Sequence, residues 1–367
     1  METILPTYFK DFKCIADKCT FSCCIGWNIK VENELVPQYK KMNIKLCSDN
    51  CMKMKNDGRC YMLDEQGLCN IIKEHGEELL SYTCQKYPRF ARVSNGFAEV
   101  ALANSCPAVL RILMDTKTPL SYYVEDDFDQ VVIASETLAP AASLIKDFLI
   151  DILQFNKYPL WTRVFIMYQF VSKNAKNSVE EIQKSIEKYY DDAYLTALFD
   201  AVLNLEMDIK SALNFKSMFL SSLNYNFTTK HGYKEYIEPI GDISAKYTID
   251  ELETLWNEFA IYFEKYSDYL ENFMVNSVFR NYGNDNGPDY LINNIEIIMI
   301  EFSMVVFTIF MRYLADNKQI SDKEVIDISC YYARALEHNM KSASDFVNKL
   351  KENDDFSKGL VLFLVRC

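Results

Sequence analysis

Glycine and proline are scarce in this 367-residue chain, with ten of one and nine of the other. Sheet-rich folds need many tight turns, and flexible linkers need Gly/Pro-rich composition, so neither dominates. The same scarcity leaves little room for a phosphate cradle. There is no G-x-G-x-x-G and no P-loop, which disfavours a Rossmann-type nucleotide domain. Histidine occurs only at His75, His231 and His338. Positive charge is also short: the net charge is −13, and residues 1–111 hold 15 Lys+Arg against 13 Asp+Glu, so the remainder carries −15. An acidic body disfavours nucleic acid and suits a cationic partner. No long apolar run is free of charge. The most apolar stretch, Ile295 to Met311, contains Glu296 and Glu301 and is closed by Arg312. Two carboxylates there would be costly in a bilayer, so a buried helix is expected and a membrane partner is not. The first residues, soon followed by Lys10, Asp11 and Lys13, lack an apolar signal core, and a cytoplasmic protein is expected.

Cysteine, in contrast, is plentiful and one-sided. Ten of the twelve lie at or before Cys106, and only Cys330 and Cys367 lie beyond. The densest group is Cys14-x4-Cys19-x3-Cys23-Cys24, followed by Ile25-Gly26-Trp27; Cys47, Cys51, Cys60, Cys69, Cys84 and Cys106 come after it. In a reducing cytosol such crowding favours a metal or iron–sulfur site over disulfides. Four thiolates saturate one [4Fe–4S] cluster or one tetrahedral zinc, so ten imply two sites or several spectators. Adjacent Cys23 and Cys24 are expected to serve different ligands or roles. The spacing matches neither a zinc ribbon nor the C-x3-C-x2-C of radical enzymes that use S-adenosylmethionine.

The expected fold is mostly α. A Cys-rich, loop-containing, cluster-binding domain (residues 1–118) packs on an all-helical, multi-helix body (residues 119–367). In the first domain, turns at Asn56-Asp57-Gly58 and Asp64-Glu65-Gln66-Gly67 break the pattern, and a helix is expected over Asn70–Thr83. Pro119–Asp129 reads as a junction. Apolar residues three and four apart then predict helices over Val131–Asn156, Leu160–Lys173, Val179–Tyr190, Leu195–Leu205 and Ile209–Leu223. Residues 224–249 resist assignment. One or two helices over Ile249–Arg280, a buried one over Pro288–Leu314, and two more N-capped by Ser321 and Ser342 complete the body. Tyr and Phe, 24 of each, could line a cation pocket but more often form core. His75 and His338 are more often a helix-surface and a helix-end histidine than ligands or catalysts.

Several of these segments carry a family resemblance. Cys14 to Trp27 resembles the opening motif of the flagellin lysine-N-methylase family. So do Cys60 to Ile71, Gly76-Glu77, Leu80-Ser81-x2-Cys84-x2-Tyr87-Pro88-Arg89 and Ser105-Cys106-Pro107. In the C-terminal half, Glu271-Asn272-Phe273-x2-Asn276 and Arg334-x2-Glu337-His338-Asn339 are similar too. The resemblance implies a methyltransferase that passes a methyl group from S-adenosylmethionine to lysines of flagellin, with an iron–sulfur cluster in the Cys-rich domain. It implies Cys14, Cys19, Cys23, Cys24, Cys60, Cys69, Cys84 and Cys106 as metal candidates, without choosing among them, and holds out Cys47 and Cys51. Zinc is the alternative metal. Methyl transfer needs a neutral amine, so an aromatic ring and a carboxylate are sought nearby, and Tyr87 and Glu99 are the catalytic candidates. Rival readings are a redox or metal sensor without catalysis and a zinc-stabilised interaction module.

Overall fold

The computed structural model describes residues 2–126, 128, 137–204, 208–227, 233–244, 246–283, 287–338 and 340–352. His231, Asn339 and Cys367 fall outside them, as do residues 131–136 of the helix expected over Val131–Asn156.

Thr3–Pro6 (β1), Arg89–Ser94 (β2), Phe97–Leu102 (β3) and Tyr122–Glu125 (β4) form one sheet in the order β2-β3-β1-β4. The expectation of short elements and loops missed this sheet. β2 and β3 form a hairpin whose turn is Asn95-Gly96, both with positive φ (51° and 86°), the geometry that favours Asn-Gly in a two-residue turn. β1 joins β3 in parallel and β4 antiparallel.

Between β1 and β2 lie the short helices α1 (Val36–Lys41), α2 (Asn70–His75) and α3 (Tyr82–Lys86). The single helix expected over Asn70–Thr83 is split because the chain turns at Gly76, whose φ of 92° only glycine adopts easily. This segment has its own small core: Ile29, Val31, Val36, Tyr39, Ile44, Met52, Cys60, Leu63, Ile71 and Leu80.

After α4 (Pro107–Asp115) and the sheet's last strand, the chain is helical. The helices are α5 (Pro140–Leu153), α6 (Leu160–Asn174), α7 (Val179–Tyr189), α8 (Asp192–Leu203), α9 (Ile209–Phe227) and α10 (Glu238–Ser244). α11 (Ile249–Phe263), α12 (Ser267–Asn281), α13 (Pro288–Ala315), α14 (Asp322–Glu337) and α15 (Met340–Lys351) follow. Ser178, Thr248 and Ser321 open α7, α11 and α14 with reciprocal capping boxes to Glu181, Glu251 and Glu324. Ser342 does not cap α15, which begins two residues earlier. Among the described residues, α13 is the one helix long and apolar enough to cross a membrane, yet 94% of its most apolar stretch is buried against neighbouring helices, α6, α12, α14 and α15 among them.

One apolar core runs across residue 118, from Leu5 through Phe148 and Val305 to Val347. A polar lattice on α12 fastens it. Asn272 Nδ2 donates to the carbonyls of Leu113 and Thr116 at the end of α4, at 3.0 and 2.6 Å. Asn276 Nδ2 donates to Leu102 O and Asn104 Oδ1, and Glu271 pairs with Arg163 at 2.6 Å. The Glu271-Asn272-x3-Asn276 segment is thus a fastening, since buried amides left unpaired would cost stability.

Candidate functional site

The thiols sort into neighbourhoods. Cys24 and Cys60 are joined through their backbones, Cys60 N donating to Cys24 O at 2.7 Å. Cys69 N-caps α2 and Cys84 lies on α3. Cys84 feels the charge of Cys24, Cys60 and Cys69 together, so these four form one electrostatic group around the small core. Burial pushes the Cys60 and Cys84 thiols up to about 11 and about 12. Cys24 is raised first by its hydrogen bond with Cys23, then by burial. Cys14, Cys19 and Cys106 form a second group, extended by Cys330 on α14, whose thiol donates to Ser105 O at 3.1 Å. Cys47 and Cys51 face each other in a separate turn, and His75 pairs only loosely with Glu74 at 3.8 Å. The described cysteines are free. Among the described residues, no three His, Cys, Asp or Glu side chains stand ready to hold one metal ion.

Beside the Cys23-Cys24 turn is an aromatic cluster. Arg334 on α14 binds the carbonyls of Phe21 and Ile25 at 3.0 and 2.9 Å, and its guanidinium lies 4.6 Å from the centre of the Trp27 ring. Trp27 in turn meets Tyr87 edge-on at 4.6 Å and His338 at 4.5 Å. Tyr87 follows α3, and His338 caps the end of α14. Ser105 links them underneath: its Oγ lies 3.2 Å from Tyr87 Oη and 2.8 Å from His338 Nε2. Tyr87 is half-buried, Ser105 is fully buried, and His338 is exposed as a residue although protein packs around its ring. That enclosure, then the guanidinium groups of Arg280 and Arg334, pushes His338 down to about 3. The imidazole is therefore neutral.

Glu99 lies elsewhere. It faces Arg92 across the β2–β3 hairpin, at 2.9 Å, and Lys146 of α5 contacts its other oxygen. Arg92 also binds the carbonyls of Phe279 and Tyr282 at the end of α12. Of the two catalytic candidates, Tyr87 belongs to the aromatic cluster and Glu99 sits in this buried ion-pair network. Sequence inspection passed over Trp27, Ser105 and Arg280 as site residues. The cue available for the first two was their place inside the Cys14–Trp27 and Ser105-Cys106-Pro107 segments; Arg280 had none.

Comparison with known proteins fits this picture. Residues 146–364 match the model for the FliB lysine N-methylase C-terminal domain. A flagellar biosynthetic protein FliU of Salmonella muenchen is 30% identical over 128 residues, which is 30% of this chain and 76% of that protein. Two proteins named lysine-N-methylase, from Salmonella typhimurium and Salmonella choleraesuis, show the same identity over the same length, but the match spans only 32% of each. No solved structure matches. With residues 146–364, more than half of the chain, matching the family model, the chain belongs to the FliB lysine N-methylase family, a family of lysine N-methyltransferases.

Proposed function

We propose that this chain transfers a methyl group from S-adenosylmethionine to lysine side chains of flagellin in the cytoplasm. The carrying observation is the Trp27–Tyr87–His338 aromatic cluster, pinned against the Cys23-Cys24 turn by Arg334, in a member of a lysine N-methylase family. The name of the FliU relative supports a flagellar substrate.

Chemistry sets what the aromatic cluster must do. A lysine ammonium, with a reference pKa of about 10.4, must become a neutral amine before it can attack a methyl group. The faces of Trp27 and Tyr87 would hold the ammonium. Arg280 and Arg334, which already disfavour a charged His338, would disfavour the ammonium in the same way and promote loss of its proton. Tyr87 is the catalytic residue of this proposal. Glu99 supports it from outside: through Arg92 it fixes the end of α12, from which Arg280 projects.

The family implies an iron–sulfur cluster, and the donor chemistry fits one. Cys24, Cys60, Cys69 and Cys84 are four thiols from separate turns, all free, grouped without being drawn to a single point. A cluster distributes its ligands over four irons, whereas zinc needs all four sulfurs within about 2.3 Å of one ion. Such a cluster would supply Lewis-acidic iron or a brace for the small core. Cys14, Cys19, Cys23 and Cys106 would belong to a second site or stand by, with these thiols carried by residues 1–118 and the multi-helix body by 119–367.

The test is methyl transfer by anaerobically purified protein to flagellin from the same cell, alongside iron and acid-labile sulfide analysis. Lysine methylation is expected, with about four irons and four sulfides per chain for one cluster. Single serine substitutions at Cys24, Cys60, Cys69 and Cys84 should lose iron, while Cys47→Ser and Cys51→Ser keep it. Zinc without sulfide would overturn the cluster, and absence of any methylated lysine would overturn the activity.

A further inference from the structure

The chain is acidic overall, at −13, yet residues 40–61 hold six Lys and Arg against two Asp, a local balance of +4. This stretch runs between α1 and α2, and its backbone bonds fix which side chains stand together. Lys53 N donates to Lys45 O at 3.2 Å, and Tyr61 N donates to Lys53 O at 2.9 Å. The flanking bridges are Leu46–Met52 and Met54–Cys60, whose side chains pack into the small core. Side chains alternate along such a ladder, so Lys45, Lys53 and Tyr61 share the opposite face, and all three are exposed.

The result is two ammonium groups on one ring. Lys45 Nζ lies 4.3 Å from the centre of the Tyr61 ring and donates to Tyr61 Oη at 2.9 Å. Lys53 Nζ lies 5.9 Å from the same centre. Among the described residues, neither has a carboxylate partner. The carboxylates of the neighbouring turns are engaged elsewhere. Asp57 accepts from Arg59 N at 3.0 Å, Asp49 from Cys51 Sγ at 3.4 Å, and Asp64 from Lys73 Nζ at 2.7 Å. Like charges set directly opposite each other on a ladder cost stability, so packing gives no reason to keep Lys45 beside Lys53. A bound anion does.

We infer that the Lys45–Lys53–Tyr61 face docks an acidic segment of the protein substrate. This deepens the proposed methyl transfer and rests on it. A carboxylate fits the face because both ammonium groups are open to it, and Tyr61, whose Oη already accepts from Lys45, keeps its own proton to donate. The field of a −13 chain repels a long polyanion such as nucleic acid or an anionic membrane. A short acidic segment, by contrast, senses mainly the cations within a Debye length of about 8 Å. The same backbone network also leads to the aromatic cluster. Cys60 N, one residue before Tyr61, donates to Cys24 O at 2.7 Å, and Gly26 N, one residue before Trp27, donates to Gly58 O at 2.9 Å. A substrate whose lysine is flanked by carboxylates thus offers its cation to an acidic body and its anions to this face, and is oriented by both.

The test is fluorescence anisotropy with two labelled peptides, one with Asp and Glu at alternate positions and one with Asn and Gln in their place, titrated with cluster-replete full-length protein. Wild type should bind the acidic peptide at least about tenfold more tightly at low salt, and the preference should fade as salt is added. Lys45→Gln and Lys53→Gln should each weaken that binding about 2–5-fold, and the double variant on the order of tenfold. Lys184→Gln, an equal loss of charge on the exposed face of α7, should not weaken it. Each Lys45 or Lys53 variant should keep or raise its melting temperature, because it relieves a like-charge contact. With flagellin as substrate, the acidic peptide should compete, and the double variant should raise KM by the same factor as it weakens peptide binding while kcat is retained. Equal binding of the two peptides, variants that bind like wild type, or an unmoved KM would overturn the inference. Tighter lysine-dependent binding of a single-stranded oligonucleotide or of phosphatidylserine vesicles would overturn it in favour of that partner. A protein that binds the acidic peptide through the two lysines yet methylates nothing would overturn the methyl-transfer reading and leave the docking face standing.

Discussion

Two buried carboxylate sites flank the end of α12, and they are built on opposite principles. Glu99 is one anion between two cations, Arg92 and Lys146, each in direct contact with it. Glu301 and Glu337 are two carboxyl groups with a single cation, Arg280, close to one of them. Burial alone would push Glu99 up, but Lys146 and Arg92 outweigh it and its carboxyl falls below the usual value. At the other site burial wins, and both carboxyl groups rise. A saturated ion-pair network of the first kind holds a fold in one arrangement. An undercompensated pair of the second kind can take up a proton.

The sharpest way to break this comparison is to delete the anion of the saturated site. Glu99→Ala leaves Arg92 and Lys146 buried without a counter-charge, and it should cost about 3–5 kcal/mol of unfolding free energy in denaturant titration. The pH sign follows from its lowered carboxyl. The Glu99 contribution should be complete above the unfolded carboxyl value of about 4.3 and be lost as pH falls through the lower folded value. A variant that unfolds at the wild-type denaturant midpoint would show that the network is not structural.

A smaller effect is expected at Arg280. Removing it takes away the cation beside Glu337, but the two carboxyl groups can answer by binding protons, so Arg280→Ala should cost only about 1–3 kcal/mol. The same change should let the His338 pKa climb from its depressed value, because Arg280 is one of the charges that depress it. Imidazole NMR titration reads this directly. An unmoved His338 would mean that enclosure alone sets its state, and that the aromatic cluster exerts little charge pressure on a lysine.

Much of the helical body was legible because a helix records its buried face every three or four residues. The expected ranges for α6, α7 and α13 lie within a residue of those found, and Ser321-x2-Glu324 announced a helix start. The sheet was not legible to the same degree. β1 is four residues long and finds β3 some 95 positions later, a pairing that no local pattern encodes. The β2–β3 hairpin did carry a local cue, Asn95-Gly96 between alternating residues, which was passed over because glycine is scarce in the chain overall. Site legibility divides in the same way. Tyr87 was singled out by its motif, and the fold puts it in the aromatic cluster. Glu99 was singled out as a carboxylate in the same domain, but Lys146, which engages it, lies 47 residues away and outside that domain. Cys14 to Cys106 marked out chemistry without a partition, because which thiols meet is decided by the turns between them.

The last expected effect is the smallest and bears on the undercompensated site itself. Burial and then Glu337 hold the Glu301 carboxyl well above its usual range in the folded protein, while in the unfolded chain it ionises near pH 4.3. For a carboxyl whose folded pKa is raised, the unfolded state binds fewer protons than the folded state between the two values. Stability therefore declines as pH rises through that window. One such group contributes a slope of about 1.4 kcal/mol per pH unit. Glu301→Gln keeps the shape of a protonated carboxyl without its titration, so it should remove this slope. As pH rises above the unfolded value the variant should gain stability relative to wild type in parallel urea titrations, by at most about 1.4 kcal/mol per pH unit, although its stability at pH 4 should be close to that of wild type. If the two proteins instead lose stability in parallel across this range, Glu301 is ionised in the fold. The contrast between the two ends of α12 would then disappear, since both sites would hold charged carboxylates.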